Sequence, residues 1–220
     1  MFRVKESAKT FAQLQKSSYI CSTTIIINSK QRKMKKNIGN YNAAFPTPIV
    51  VVGAMVDGKP NWFEVAWIGI GDSDIVTLSV TPTHETCKGI NEHKVLSIAL
   101  TNDKTLQRAD YVGIVSGKKV DKSEVFAWTQ GDLGAPIPED ADVVMECELI
   151  DTYAQNGMHL LICRVKNTYA EESVLDAKGK IDYDKCKPIL FEPRFNYLRT
   201  GETVGPCVAP GKALAEQLKG

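Results

Sequence analysis

The chain has 220 residues, 43% hydrophobic and 24% charged, which fits one ordinary globular domain with a single core. No apolar run reaches membrane-span length, so a membrane partner is not expected. The net charge of +1 is unevenly spread: residues 1–33 hold seven Lys/Arg against one acid, and the remainder twenty against twenty-five. A mildly acidic body offers no basic face to a nucleic-acid backbone, which argues against nucleic-acid binding.

The six cysteines are scattered, with no CxxC pair and no metal-ligand spacing to the three histidines. No metal site is expected, and the thiols read as free in a reducing cytoplasm. The absence of any N-x-S/T acceptor agrees with a non-secreted, cytoplasmic protein.

Residues 1–33 are basic and rich in Ser and Thr, with one short apolar patch at 24–27. Neither a long apolar core nor a small-residue cleavage site is present, so a signal peptide does not fit. A disordered tail, a transit-like leader and an upstream extension with Met34 as the authentic start stay open. The last is preferred, because the composition changes at Met34. Residues 34–220 are expected to form one domain.

From Phe45 the chain becomes regular. Ile49 to Val56 is a continuous apolar run that fits a fully buried strand, and Asp57-Gly58 after it is a hairpin signal. Trp62 to Ile70 and Ile75 to Val80 read as two further strands around the turn Gly71-Asp72-Ser73-Asp74, giving a three-stranded meander. The loop Thr81-Pro82-Thr83-His84-Glu85-Thr86 then opens a short helix from Cys87. Hydroxyls, exposed backbone N–H groups and a helix N-terminus converge there, which suits an anion.

Val95 to Leu100 is a fourth strand and Thr105 to Val115 reads as helical. Asp121, with Glu124 three residues on, is placed to cap a helix over 123–128. Residues 131–142 are expected to be a loop, with Pro136 and Pro138 excluding regular structure. Val143 to Asp151 and His159 to Tyr169 form a second hairpin across Gln155-Asn156-Gly157; residues 176–187 read as a surface loop. Short strands at 188–191 and 196–198 and a helix from Pro210 complete the chain. Many short, mostly antiparallel strands with peripheral helices indicate a mainly β fold that closes on itself as a barrel.

Known chemical motifs mostly fail. Gly69-Ile70-Gly71 lacks the third glycine of a dinucleotide fingerprint, Asp74 standing in its place, and a strand follows instead of a helix. His84-Glu85 has no second histidine at zinc-protease spacing, and neither a G-x-S-x-G elbow nor a P-loop occurs.

Four segments together, PTPIVVVGA at 46–54, the strand from Asn61 to Gly71 with Ala66-Trp67-Ile68-Gly69, the P-T-H-E-T loop, and YVGIVSGKKVDK at 111–122, resemble in order and spacing the flavin reductase-like, FMN-binding split-barrel family. The flavoredoxin-like branch is the most similar, and the match spans about residues 37–205. The resemblance implies an antiparallel split β-barrel whose two copies pair with FMN at the interface. It also implies an oxidoreductase taking electrons from NADH or NADPH to a flavin, a metal or a redox protein partner. The alternative is an FMN-binding electron carrier or flavin store with no nicotinamide site.

By the same resemblance, Val65, Ala66 and Trp67 border the flavin ring, and Thr81, Thr83, His84 and Thr86 hold the phosphate, with His84 where many relatives carry arginine. Ser116, Gly117 and Lys122 are implied near the cofactor, and no catalytic side chain is assigned. Ala99 and Val112 depart from the Asn and Cys frequent in relatives, which disfavours a cysteine mechanism. On residue type alone, Trp67 fits a buried core strand, His84 fits a helix cap, and Lys122 fits a solvated surface charge.

Overall fold

The computed structural model describes residues 35–218. The expectations for residues 1–33 and for Met34 as the start lie outside them. Residues 35–43 belong to a separate N-terminal unit; they are exposed and carry neither helix nor strand.

The body from Ala44 begins with β1 (Thr47–Pro48), β2 (Val50–Val56), β3 (Lys59–Val65), β4 (Ile68–Asp72) and β5 (Ile75–Val80). Helix α1 (Glu85–His93), β6 (Val95–Leu100) and α2 (Leu106–Ile114) follow, then β7 (Trp128–Gln130) and β8 (Pro136–Pro138). The long hairpin β9 (Val143–Gln155) and β10 (Met158–Ala170) precedes α3 (Tyr183–Cys186), β11 (Ile189–Glu192), β12 (Asn196–Arg199) and α4 (Ala209–Gln217).

Seven strands form one antiparallel sheet in the order β3-β2-β6-β9-β10-β5-β4. β2 lies next to the β3 edge, and its apolar run is continuous because both faces are covered. Val50, Val52 and Ala54 point into a core shared with Phe63, Leu78, Leu96, Ile98 and Leu161, while Val51 packs outward with Trp62, Val112 and Phe126. Asp57 and Gly58, both at positive φ (49° and 80°), make the tight link to β3.

The sequence reading of 62–70 as one strand needs correction. The chain leaves the sheet at Ala66 and Trp67, so β3 pairs with β2 and β4 pairs with β5 at the opposite edge. At the break, the Ala66 carbonyl accepts from Thr47 Oγ1 (2.7 Å) and the Trp67 carbonyl accepts from the Ser79 N–H (2.9 Å). The three-stranded meander is therefore a rolled sheet whose two edges are consecutive in sequence but not hydrogen-bonded. That is the split in a barrel which the residue pattern alone reads as closed.

Further differences are local. No helix forms over 123–128; Asp121 Oδ1 accepts from the Ser123 N–H in a two-residue turn, and its other oxygen pairs with Lys59. Pro136 and Pro138 do sit in a short strand. Bonds from Gly131 N to Ala135 O and from Glu139 N to Ala127 O place the β7 contacts on the odd positions, so the missing proline N–H groups point away from β7. The 176–187 segment contains α3, capped by Asp182, whose side chain accepts from the Asp184 N–H. The described cysteines are all free, and burial raises the Cys147 thiol and pushes Cys163 up to about 12.

Two polar clusters brace this frame. Glu146 is fully buried in β9, where it accepts from the Leu133 and Ala135 N–H groups, the Asn167 amide and the Tyr169 hydroxyl. Burial alone would raise its carboxyl; the donors outweigh burial and hold it below the usual range. Elsewhere, the Tyr197 hydroxyl on β12 donates to Asp110 Oδ1 (2.6 Å) and lies 3.3 Å from Glu64 Oε1, tying the β11–β12 hairpin to α2 and β3. Burial, then the Asp110 charge, push Glu64 up to about 7, against a smaller opposing effect of Tyr197.

Glu146→Ala removes the acceptor for four donors and is expected to destabilise the fold by about 3 kcal/mol in denaturant titration; an unchanged midpoint would refute the clamp. For Glu64 the folded pKa lies above the unfolded value of 4.5, so the folded state binds the extra proton and stability falls as pH rises from about 4.5 to about 7. After discounting for partial exposure the loss is about 2 kcal/mol. Glu64→Gln should flatten that slope in pH-dependent melting, and a slope equal to the parent's would show that Glu64 is not its source.

Candidate functional site

Three segments enclose a cavity of about 320 Å³: β3, the turn leading into α1, and the 113–122 stretch that ends α2. From β3 come Asn61 and Phe63; from the turn, Thr83, His84, Glu85 and Thr86; from the last stretch, Gly113 to Lys118 and Lys122.

His84 occupies the position before α1 with extended backbone (φ −61°, ψ 140°), and its side chain makes no capping hydrogen bond. Its ring stacks instead on Phe63, 5.1 Å between centroids at 29°. The Cys87 N–H donates to the His84 carbonyl (3.1 Å), and the helix dipole adds positive potential at this end. Burial, then the Lys122 and Lys118 charges, lower the pKa of His84.

Lys122 is 3% exposed. Its Nζ donates to the carbonyls of Trp62 on β3 (3.0 Å) and Val112 in the last turn of α2 (2.7 Å). Among the described residues it has no carboxylate partner, and burial pushes it down to about 8. Glu85, the acid in the lining, lies one helical turn before Lys88 and contributes to raising that lysine's pKa. The cavity thus concentrates Lys122, Lys118, His84 and hydroxyls, a donor set for an anion. Burial pushes the nearby Cys87 thiol up to about 11, so it supplies no thiolate at neutral pH.

Of the residues expected from sequence, Thr83, His84, Thr86, Ser116, Gly117 and Lys122 line this one cavity. The other four lie outside it. Val65 is buried toward the barrel core, and Ala66 and Trp67 form the break between β3 and β4. Thr81 donates its hydroxyl to Met158 Sδ (3.6 Å). Trp67 is 57% exposed, in contrast to the core position its residue type suggests, because the chain has left the sheet there. A second, larger cavity of about 620 Å³ runs along β4, walled by Ile68, Ile70, Val76, Leu100, Met145 and Val165.

Asn61, Phe63 and Lys118 also line the cavity, although the family resemblance implies no role for them. The available signal for Asn61 was its type, since asparagine is depleted from strand interiors. Phe63 alternates into the core like any strand aromatic, and Lys118 reads as a surface charge. Among the described residues no group of His, Cys, Asp and Glu is arranged to hold a metal, and no helix is long and apolar enough to cross a membrane.

Comparison with known proteins gives a consistent answer. The model of the flavin reductase like domain matches residues 42–193. Flavoredoxin from Methanosarcina acetivorans is 30% identical with a TM-score of 0.77, over 82% of this chain and 99% of that one. Flavoredoxin of Desulfovibrio vulgaris (Miyazaki F) is 29% identical with a TM-score of 0.75, over 81% and 100%. An FMN-binding protein from Thermus thermophilus with bound 1-cyclohex-2-enone, 23% identical with a TM-score of 0.66 over 80% and 99%, shares the fold. No curated protein matches the chain. With the family model covering most of the body and flavoredoxins aligning over nearly their whole lengths, the chain belongs to the flavin reductase-like family and has its split-barrel fold.

Proposed function

We propose that this protein is an FMN-binding oxidoreductase that takes electrons from NADH or NADPH and passes them to a flavin, a metal or a protein acceptor. The observation that carries the reading is Lys122: a lysine buried without a counter-ion at a cavity that also holds His84, Thr83, Ser116 and an α-helix N-terminus. An isolated buried cation is unfavourable, and a phosphate dianion beside it would supply the missing charge. In this assignment Lys122, His84, Thr83 and the 116–118 backbone hold the phosphate. The backbone at Val65, Ala66 and Trp67, where no continuous strand covers it, borders the ring.

Bound flavin itself supplies the hydride and electron chemistry, so the chain's task is to bind, orient and shield. Thr47, by fixing the Ala66 carbonyl, sets the path of the backbone at the ring edge. A second reading, an FMN-binding electron carrier, is favoured by the likeness to two flavoredoxins. Pairing of two copies across the split is supported by exposed Trp67 and Ile70 beside the apolar cavity along β4. Sedimentation at the mass of a single chain with FMN bound would refute that pairing.

Lys122→Gln is expected to weaken FMN binding to the apoprotein about tenfold to a hundredfold in a fluorescence titration, leaving riboflavin, which lacks the phosphate, little changed. Equal FMN affinity in the variant would remove the phosphate assignment. Anaerobic addition of NADH and then NADPH separates the two functions: bleaching of the bound flavin supports the reductase, and flavin that stays oxidised supports the carrier.

A further inference from the structure

Asn61 is 8% exposed, and its side chain makes one hydrogen bond among the described residues, accepted at Oδ1 from the Thr86 hydroxyl (2.7 Å). The two N–H donors on Nδ2 meet no protein acceptor there. Among the described residues Trp62 Nε1 and Thr101 Oγ1, not Asn61 Nδ2, are the fully buried side-chain atoms without a partner, so the Asn61 donors open onto the cavity and are free to serve a group bound there. The amide lies against Gly117, where an added Cβ would stand 2.9 Å from Nδ2 and 3.0 Å from Oδ1. Only glycine leaves this end of the cavity open.

From this geometry we propose that Asn61 is a ligand-binding residue of the cavity, donating its Nδ2 protons to a phosphate oxygen, with Thr86 serving to orient it. Thr86 is 1% exposed and uses its single proton on Asn61 Oδ1. It therefore has no donor left for a phosphate, so the direct role that the resemblance implies for it passes to Asn61. Holding Oδ1 turns the donor end of the amide away from Thr86. The choice of ligand follows from the donors: an amide N–H pair, a buried ammonium and a helix N-terminus all favour an oxyanion, and none of them coordinates a cation. Asn61 also sits where the three cavity-forming segments meet, since its backbone is in β3, its Oδ1 on α1 and its Nδ2 under the 117 turn.

The assignment rests on the phosphate-binding reading of the cavity, and the two can fail separately. Asn61→Asp keeps the shape and still accepts from Thr86, but it replaces the donors with a negative oxygen. Thr86→Val keeps the volume and releases the amide. Affinities of each apoprotein for FMN and for riboflavin are measured by flavin fluorescence, alongside the melting temperature. Asn61→Asp is expected to weaken FMN about a hundredfold and Thr86→Val about three- to tenfold, with riboflavin within about twofold for both and Thr86→Ser close to the parent.

If Asn61→Asp leaves FMN affinity intact while Lys122→Gln lowers it, the cavity binds phosphate without Asn61 and the proposal is overturned. If Asn61→Asp weakens FMN and riboflavin equally, the side chain is structural, and the proposal fails again. A parent protein that binds FMN no better than riboflavin overturns both readings. Should Asn61→Asp fail to fold, the Thr86 pair decides: unchanged FMN affinity in Thr86→Val refutes the orienting role and with it the assignment.

Discussion

The ammonium of Lys122 is sealed between a strand and the end of a helix, and much of the surrounding architecture can be understood from the need to accommodate it. Its two protein acceptors are backbone carbonyls, one on β3 and one in the last turn of α2, where the helix dipole is negative. Those bonds fix where α2 stops relative to the sheet, and so set the course of the 115–122 turn that walls the cavity. Carbonyl dipoles soften the burial of a charge but do not neutralise it. The lowered affinity of this lysine for its proton is the residual of that imbalance.

The rolled sheet puts the cavity beside the split. β2 is covered on both faces, by the barrel core inside and by α2 with the 126–144 region outside, so it cannot shift without disturbing two cores. β3 inherits that rigidity through seven paired residues and carries Asn61 and Phe63 to the cavity, with Trp62 between them on the opposite face. Phe63 faces the core and supports the His84 ring; Trp62 faces α2 and offers its carbonyl to Lys122. The same strand ends at Val65, where Ala66 and Trp67 step out of the ladder. A rigid strand thus joins the cavity to the break.

Much of this was legible from sequence where the pattern was local. The β2 run, the Asp57-Gly58 turn, the 143–169 hairpin and α1 follow from periodicity and turn chemistry, and six of the residues that the family resemblance implies line one cavity. What escaped was non-local. Nothing in Trp62 to Ile70 marks a break at Ala66, because a strand that changes edges has the same apolar content as one that continues. Asp121 satisfies every local rule for a helix cap, yet burial of the neighbouring Lys122 pulls the chain inward and the helix does not form. Pro136 and Pro138 bar a strand only if their N–H positions face a partner, and here the pairing falls on the other side.

Among the described residues, Glu146 and Lys122 are deeply buried charges of opposite sign, and they are accommodated differently. Glu146 accepts from four protein donors, two of them backbone, and its carboxyl is held in the charged form. Its hydrogen-bonding capacity is met inside the protein, so it needs no ligand and acts as a clamp on the 131–135 turn. Lys122 reaches two neutral carbonyls and no acid, and the Asn61 amide and the His84 ring beside it also retain capacity for a partner. Several buried or half-buried polar groups, each incompletely matched, border the same 320 Å³, whereas the buried atoms without a partner elsewhere, Trp62 Nε1 and Thr101 Oγ1, occur singly. On the proposed reading, an oxyanion at that position would complete them together.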